Sequence, residues 1–225
     1  MIDALLPPDV SCAHRRDDTE AAELFPEEAA AVSKAVERRR NEYATVRLCA
    51  REAMAGLGLP PVPVLSGPRG EPVWPEGIVG SMTHCTGYRA AVLAHGKRIR
   101  ALGIDAEEHG PVPEGVLEAI ALPAEQARHA RHAAGEPGVH WDRLLFSAKE
   151  SVYKAWFPIA RRMLEFEEAD LVFTREPGAE PGGTFHARLL ATAPGVPPSF
   201  DGRWLVRDGI VLTAICLPAD TAPHD

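Results

Sequence analysis

Cysteine is scarce and scattered. Cys12, Cys49, Cys85 and Cys216 form no CxxC pair, which argues against a zinc site and gives no reason to infer disulfides. Basic residues are outnumbered, 24 Lys and Arg against 32 Asp and Glu, for a formal charge of −8. That balance disfavours broad nucleic-acid binding. The first residues carry Asp3, Pro7 and Pro8 before any sizeable apolar run and have no basic leader, so neither a signal peptide nor a membrane span is expected and the cytoplasm is the expected compartment. No internal repeat is visible. What remains is a chain of 225 residues, long enough to bury about 70% of its unfolded surface as one domain or two compact halves.

Hydrophobic periodicity divides the chain into two passes of helix followed by strands. Pro26 to Leu57 reads as one long helix, with Val32, Val36, Tyr43, Val46, Ala50 and Leu57 near the helical period. Gly56, Gly58 and Pro60 end it. A loop rich in Pro and Gly follows, then strand-like runs near Ile78 to His84, Tyr88 to Ala94 and Ile99 to Asp105, which read as a meander. The second pass has helical segments from Glu114 to Ala133, an apolar helix from His140 to Phe157, and strands near Leu171, Thr184 to Leu190, Trp204 to Arg207 and Ile210 to Leu217. Asp208-Gly209 marks a hairpin.

Two stretches carry chemistry, GIDAE (Gly103 to Glu107) and FSAKESVYKAW (Phe146 to Trp156). In an extended strand Asp105 and Glu107 point to one side and can offer two carboxylates to one cation, with Ala106 adding at most its carbonyl. On a helix Glu150 and Lys154 lie one turn apart, with Lys149 on the flank. Alone, Asp and Glu at a strand end are more often a solvated turn, and a Glu-Lys pair at this spacing is more often a surface ion pair. Trp141, Leu144, Leu145, Ala148, Val152, Ala155 and Trp156 make the helix apolar nearly all round, however, and buried charges need partners. Three carboxylates and two lysines suit a divalent cation and a phosphate.

Arg40, Arg47 and Arg51 fall within about 40° of one another on a helical wheel and form a basic stripe, which suits phosphate oxygens or a solvated face balanced by Glu37, Glu42 and Glu52. GPRGEPVWP (Gly67 to Pro75) is a loop by composition. His84 lies in an alternating strand, where a lone histidine is more often structural than a ligand.

These blocks resemble the 4′-phosphopantetheinyl transferases, specifically the surfactin-type class and its enterobactin-synthase-like (EntD) branch. The likeness extends to RRNEYATVRLCAR (Arg39 to Arg51), GPRGEPVWP and GSMTHCTGYRAAV (Gly80 to Val92), covering most of residues 38–158 in the family's order. It implies an α+β fold of two similar subdomains in pseudo-twofold arrangement, each a helix plus a small, mostly antiparallel sheet, divided here as residues 1–105 and 106–225, with the active site at their interface. It implies transfer of the phosphopantetheine arm of coenzyme A to a serine of an apo acyl or peptidyl carrier protein, releasing 3′,5′-ADP. The implied metal is Mg²⁺, with Mn²⁺ as an alternative, on Asp105, Ala106, Glu107 and Glu150. The implied coenzyme contacts are Arg39 and Arg47 for the 3′-phosphate, Arg69, Thr83, His84, Asp105, Lys149 and Lys154. Glu150 is the expected base, with Glu107 as the alternative, and Lys149 and Lys154 stabilise the leaving phosphate. Ser66 departs from relatives that are basic there. A monomer is expected, with no nucleic-acid or membrane partner. A Mg²⁺-dependent phosphohydrolase and a non-enzymatic coenzyme A or nucleotide-binding module are the competing classes. For docking the carrier, the segment Glu114 to His132 and the Met163 to Phe166 patch are candidates.

Overall fold

The three strand runs between residues 78 and 105 do not make a meander, because the middle strand has both edges occupied. In the computed structural model, which describes residues 1–18 and 23–219, β1 (Ser11–Arg15) pairs with one edge of β3 (Tyr88–His95) and β2 (Ile78–Cys85) with the other, all antiparallel. β1 falls in the proline-punctuated leader, where periodicity shows no strand. The third run, β4 (Ile99–Glu108), pairs instead with β8 (Ile210–Pro218). It opens a five-stranded antiparallel sheet in the order β4-β8-β7-β6-β5, where β5 is Ala169–Arg175, β6 is Gly182–Leu189 and β7 is Ser199–Arg207. Asp208 and Gly209 both take positive φ, 50° and 75°, in the β7–β8 turn, as an Asp-Gly hairpin requires. A division at residue 105 would therefore cut a strand that is bonded to β8 along its length.

The two sheets meet where β2 lies beside β4. Side-chain hydroxyls replace a ladder there: Ser81 Oγ accepts from the Ile104 amide at 3.1 Å, and Thr83 Oγ1 accepts from the Ala106 amide at 3.1 Å. The amides of β4 that face β2 are thus satisfied without a continuous sheet. A core of Ile2, Tyr88, Leu102, Ile104 and Leu212 fills the space between the halves.

Each half places a 20-residue helix on its sheet: α2 (Glu37–Gly56) and α5 (Trp141–Ala160). α2 packs Cys49, Ala50, Ala53 and Met54 against Ala91 and Leu93 of β3. α5 is buried on nearly every side, with Trp141, Leu144 and Trp156 meeting Phe185 and Trp204 of the sheet. Its approach to β4 depends on Gly103, where an added Cβ would sit 2.0 Å from the Ser151 carbonyl oxygen and 2.9 Å from the Ala155 amide. The helix continues through Pro158 to Ala160, three residues past Phe157.

Pro26 to Leu57 is not one helix. A short α1 (Pro26–Ala31) is separated from α2 by a turn, and Glu28 meets Arg51 at 3.1 Å, a contact that one continuous helix could not make. In a continuous helix these residues would stand about 35 Å apart at 1.5 Å per residue. The second half has the same arrangement, with short helices α3 (Val116–Ile120) and α4 (Pro123–Gly135) preceding α5.

Candidate active site

A cleft of about 670 Å³ opens between the halves, floored by β2 and β4 and walled by α2, α5 and the loop 66–74. Domain-interface clefts of this size are favoured ligand sites. Asp105, Glu150 and Lys154 line it, as do Arg39, Arg47, Arg69, Thr83 and His84. Glu107, Ala106 and Lys149 are not in its lining.

Asp105 is nearly buried, at 5% exposed. Its Oδ1 accepts from Lys154 Nζ at 2.7 Å and from Thr83 Oγ1 at 3.1 Å. Its Oδ2 is buried and has no hydrogen-bond partner among the described residues. The Thr83 hydroxyl is thus spent on Asp105 and the Ala106 amide, which makes it an orienting group for the carboxylate rather than a free coenzyme contact. Lys154 also donates to the Ile104 carbonyl at 3.0 Å. The sequence pairs Lys154 with Glu150; the fold sends it across to β4, because the Gly103 approach brings α5 within reach of the strand.

Glu107 donates its charge elsewhere. Its Oε2 accepts from Arg143 Nη1 at 3.0 Å, while the rest of that guanidinium is held by the Gly110 and Pro111 carbonyls. Burial and the nearby Asp105 carboxylate push Glu107 up to about 7. Burial likewise raises Glu150, followed by a lowering from Lys154 and a raising from Asp105. Carboxylates whose charge is disfavoured by one another and by desolvation are relieved by a cation.

The residues therefore fit a hard divalent ion: oxygen donors, an orphaned buried oxygen on Asp105, and two neighbouring carboxyl groups with raised affinity for positive charge. Among the described residues no three His, Cys, Asp or Glu side chains stand as a ready-made cage, and Arg143 holds Glu107. A consequence is testable without catalysis. Glu107 has a folded pKa above its ordinary 4.5, so the folded protein retains a proton that the unfolded chain releases, and stability should fall as pH rises from about 5 to about 7.5. A divalent cation bound there should cancel that fall; with Mg²⁺ as that cation, its effect on melting temperature should be larger at the upper pH than at the lower. Scanning calorimetry with chelator and with Mg²⁺ at both pH values checks this; an equal Mg²⁺ effect at both would contradict it.

Lys149 requires a correction. Its ammonium does not point to the cleft: it donates to Glu125 Oε2 at 2.8 Å and to the carbonyls of Ile120, Phe166 and Ala169 at 2.8, 2.6 and 3.1 Å. With every donor engaged and 3% exposure, it has no proton to offer a phosphate. Its position on α5, one residue before Glu150, turns it about 100° round the helix from that residue, away from the cleft.

The basic stripe also divides. Arg51 is committed to Glu28 and the Glu23 carbonyl, and Arg40 turns back to the Ala35 carbonyl at 2.6 Å. Arg47 remains in the cleft, its guanidinium stacked 3.4 Å above the Tyr43 ring and its Nε bonded to the Val64 carbonyl at 3.2 Å. Arg39 Nη1 donates to His84 Nε2 at 2.6 Å, which requires that nitrogen to be the unprotonated acceptor. Burial and then the Arg39 charge lower the His84 pKa, in keeping with a neutral ring.

The loop bearing Arg69 is pinned by Glu71. Its Oε2 accepts the Arg69 amide at 2.9 Å, and Ser66 bridges to Pro72. Residues missed in the sequence also line the cleft, among them Tyr153 and Arg161. Tyr153 shares a helix face with Glu150 and Lys154 by i, i+3, i+4 spacing, a signal that was available. Arg161 reaches the cleft because it adopts a left-handed cap at φ 55°, which periodicity does not foretell.

Comparison with known proteins agrees with this architecture. A family model described as the 4′-phosphopantetheinyl transferase N-terminal domain matches residues 27–94, and one for the 4′-phosphopantetheinyl transferase superfamily matches residues 101–194. The break between them falls just before or at the start of β4. The chain is 52% identical to 4′-phosphopantetheinyl transferase Svp of Streptomyces mobaraensis, over 99% of this chain and 92% of that protein. It is 49% identical to 4′-phosphopantetheinyl transferase Npt of Nocardia iowensis, over 96% of this chain and 99% of that protein. Enterobactin synthase component D of Escherichia coli (strain K12) is 33% identical over 52% of this chain and 55% of that protein, a more limited likeness. With both halves matched in order and near-full-length identity about one residue in two, the chain belongs to the 4′-phosphopantetheinyl transferase superfamily.

Proposed function

We propose that the cleft binds coenzyme A with Mg²⁺ and transfers its phosphopantetheine arm to a carrier-protein serine. The observation that supports this most is the juxtaposition of Asp105, with its unpartnered buried oxygen, and the Arg39, Arg47 and Arg69 cluster in one cleft. Anionic donors and cationic forks stand together as a pyrophosphate with a metal would require. Asp105, Glu107 and Glu150 would hold the ion, with Arg143 releasing Glu107 when it does so. Bound there, a divalent ion supplies charge neutralisation to the pyrophosphate oxygens.

The chain's own residues account for the rest. Arg47, with its plane fixed by Tyr43, and Arg39 receive the 3′-phosphate. Lys154, on α5 and already bonded to Ile104 and Asp105 of β4, stabilises charge developing on the leaving 3′,5′-ADP. Glu150 takes the serine proton; burial makes its carboxylate a stronger base than a solvated one. Glu107, tied to Arg143 and away from the cleft lining, is the weaker candidate. The carrier approaches over the exposed Met163 side of the site, and the protein acts in the cytoplasm as a monomer, without a nucleic-acid or membrane partner. No helix among the described residues is long and apolar enough to cross a membrane.

Release of 3′,5′-ADP tests the reading. It should require coenzyme A, Mg²⁺ and an apo carrier together; release from coenzyme A alone would instead indicate the phosphohydrolase. Arg47→Ala separates the coenzyme contact. It should raise KM for coenzyme A about ten- to a hundredfold, the equivalent of roughly 1.5 to 3 kcal/mol for one charge-assisted bond. The effect should be much smaller with 3′-dephospho-coenzyme A. Equal losses with both would make Arg47 structural.

A further inference from the structure

Two buried glutamates outside the cleft occupy matching places in the two halves. Glu28 is the third residue of α1 and Glu125 the third of α4. Each follows an apolar residue and a proline, Phe25-Pro26 and Leu122-Pro123. Both carboxylates are essentially inaccessible, at 0% and 2%.

Their bonds correspond one for one. Glu28 Oε2 accepts from the Phe25 amide at 3.1 Å and from Arg51 of α2 at 3.1 Å, while Oε1 accepts from the Val64 amide at 2.8 Å. Glu125 Oε2 accepts from the Leu122 amide at 2.8 Å and from Lys149 of α5 at 2.8 Å, while Oε1 accepts from the Leu171 amide at 2.8 Å. In each half one carboxylate ties together the start of the short helix, a cation of the long helix, and the backbone that follows the long helix.

The clamps lead to different parts of the site. Val64, held by Glu28 through its amide, accepts Arg47 Nε through its carbonyl, and it precedes the loop that carries Arg69. Lys149, held by Glu125, is the neighbour of Glu150 and binds the Phe166 and Ala169 carbonyls, so it sets both the α5 face and the segment beside Met163. Both carboxylates are buried, as is Lys149, while Arg51 is 13% exposed; a buried ion pair is strongly sensitive to loss of one partner.

We propose that Glu28 and Glu125 are equivalent positioning residues, Glu28 with Arg51 ordering the coenzyme side of the cleft and Glu125 with Lys149 ordering the transfer side. This deepens the reading given under Proposed function and rests on it for the kinetic assignment.

The test compares Glu28→Gln with Glu125→Gln, which preserve shape and remove charge. Coenzyme A affinity is read by calorimetry, single-turnover transfer at saturating coenzyme A with an apo carrier, and amide exchange at Val64 and Leu171 by hydrogen–deuterium exchange. Glu28→Gln should weaken coenzyme A binding about tenfold and act mainly there. Glu125→Gln should slow saturated transfer about tenfold and shift coenzyme A affinity less than twofold. Exchange should quicken at Val64 only in the first variant and at Leu171 only in the second. Equal affinity losses in both, or lower melting temperatures with affinity and rate unchanged, would overturn the assignment. If a glutamine variant does not fold, the wild type decides: coenzyme A should slow exchange at Val64 and leave Leu171 unaffected, and the reverse refutes the division. Should the wild type bind no coenzyme A, the functional reading fails, and the clamps are judged on exchange in the two variants alone.

Discussion

Asp105→Ala should abolish transfer, with a loss of roughly a hundred- to a thousandfold or more, the scale seen when one group stabilising developing charge is removed. The reason is local. Asp105 is the residue at which the two halves are stitched together: Thr83 from β2 and Lys154 from α5 both donate to its Oδ1, and its buried Oδ2 has no hydrogen-bond partner among the described residues. Removing it deletes a proposed metal ligand and also frees Lys154 from its ion pair. The rate should be measured over a Mg²⁺ titration with melting temperature in parallel, because the buried change also perturbs packing. Full activity at ordinary Mg²⁺ with an intact fold would remove Asp105 from the site.

Glu150→Gln should damage chemistry more than binding. The amide keeps the size and one oxygen of the side chain but cannot accept the serine proton or offer full charge to a cation. A loss of about a hundred- to ten-thousandfold in single-turnover transfer is expected from the general-base role alone, with coenzyme A affinity by calorimetry changing little. If the variant binds poorly yet, once saturated, transfers at the wild-type rate, Glu150 is a binding residue and the base lies at Glu107 or in solvent. The geometry makes Glu150 the stronger candidate because it lines the cleft, while Glu107 is occupied by Arg143 at 3.0 Å.

The parts of this site that could be read in the sequence are those governed by local periodicity. Period two put Asp105 on the strand face that meets Lys154 and Thr83, and the apolar pattern of residues 141–157 announced a buried helix with charged residues that needed partners. The failures come from long-range pairing. Lys149 and Lys154 look alike in KESVYK, but five residues rotate the helix by about 140° from one to the other, so one enters the cleft and the other the core. The expected long helix breaks, and nothing local signals that Arg51 must return to Glu28. The expected meander fails because β1, short and set among prolines, takes the edge of β3 that a local reading gives to β4. The faint repeat Phe25-Pro26-Glu27-Glu28 against Leu122-Pro123-Ala124-Glu125 acquires meaning only when the bonds of both glutamates are seen.

The most direct measurement is the intact mass of several apo carrier proteins after incubation with this protein, Mg²⁺ and coenzyme A. At least one carrier should gain the mass of a single phosphopantetheine arm on its serine, and the gain should vanish with chelator and with Asp105→Ala. Unchanged carrier masses alongside 3′,5′-ADP release from coenzyme A alone would contradict the account.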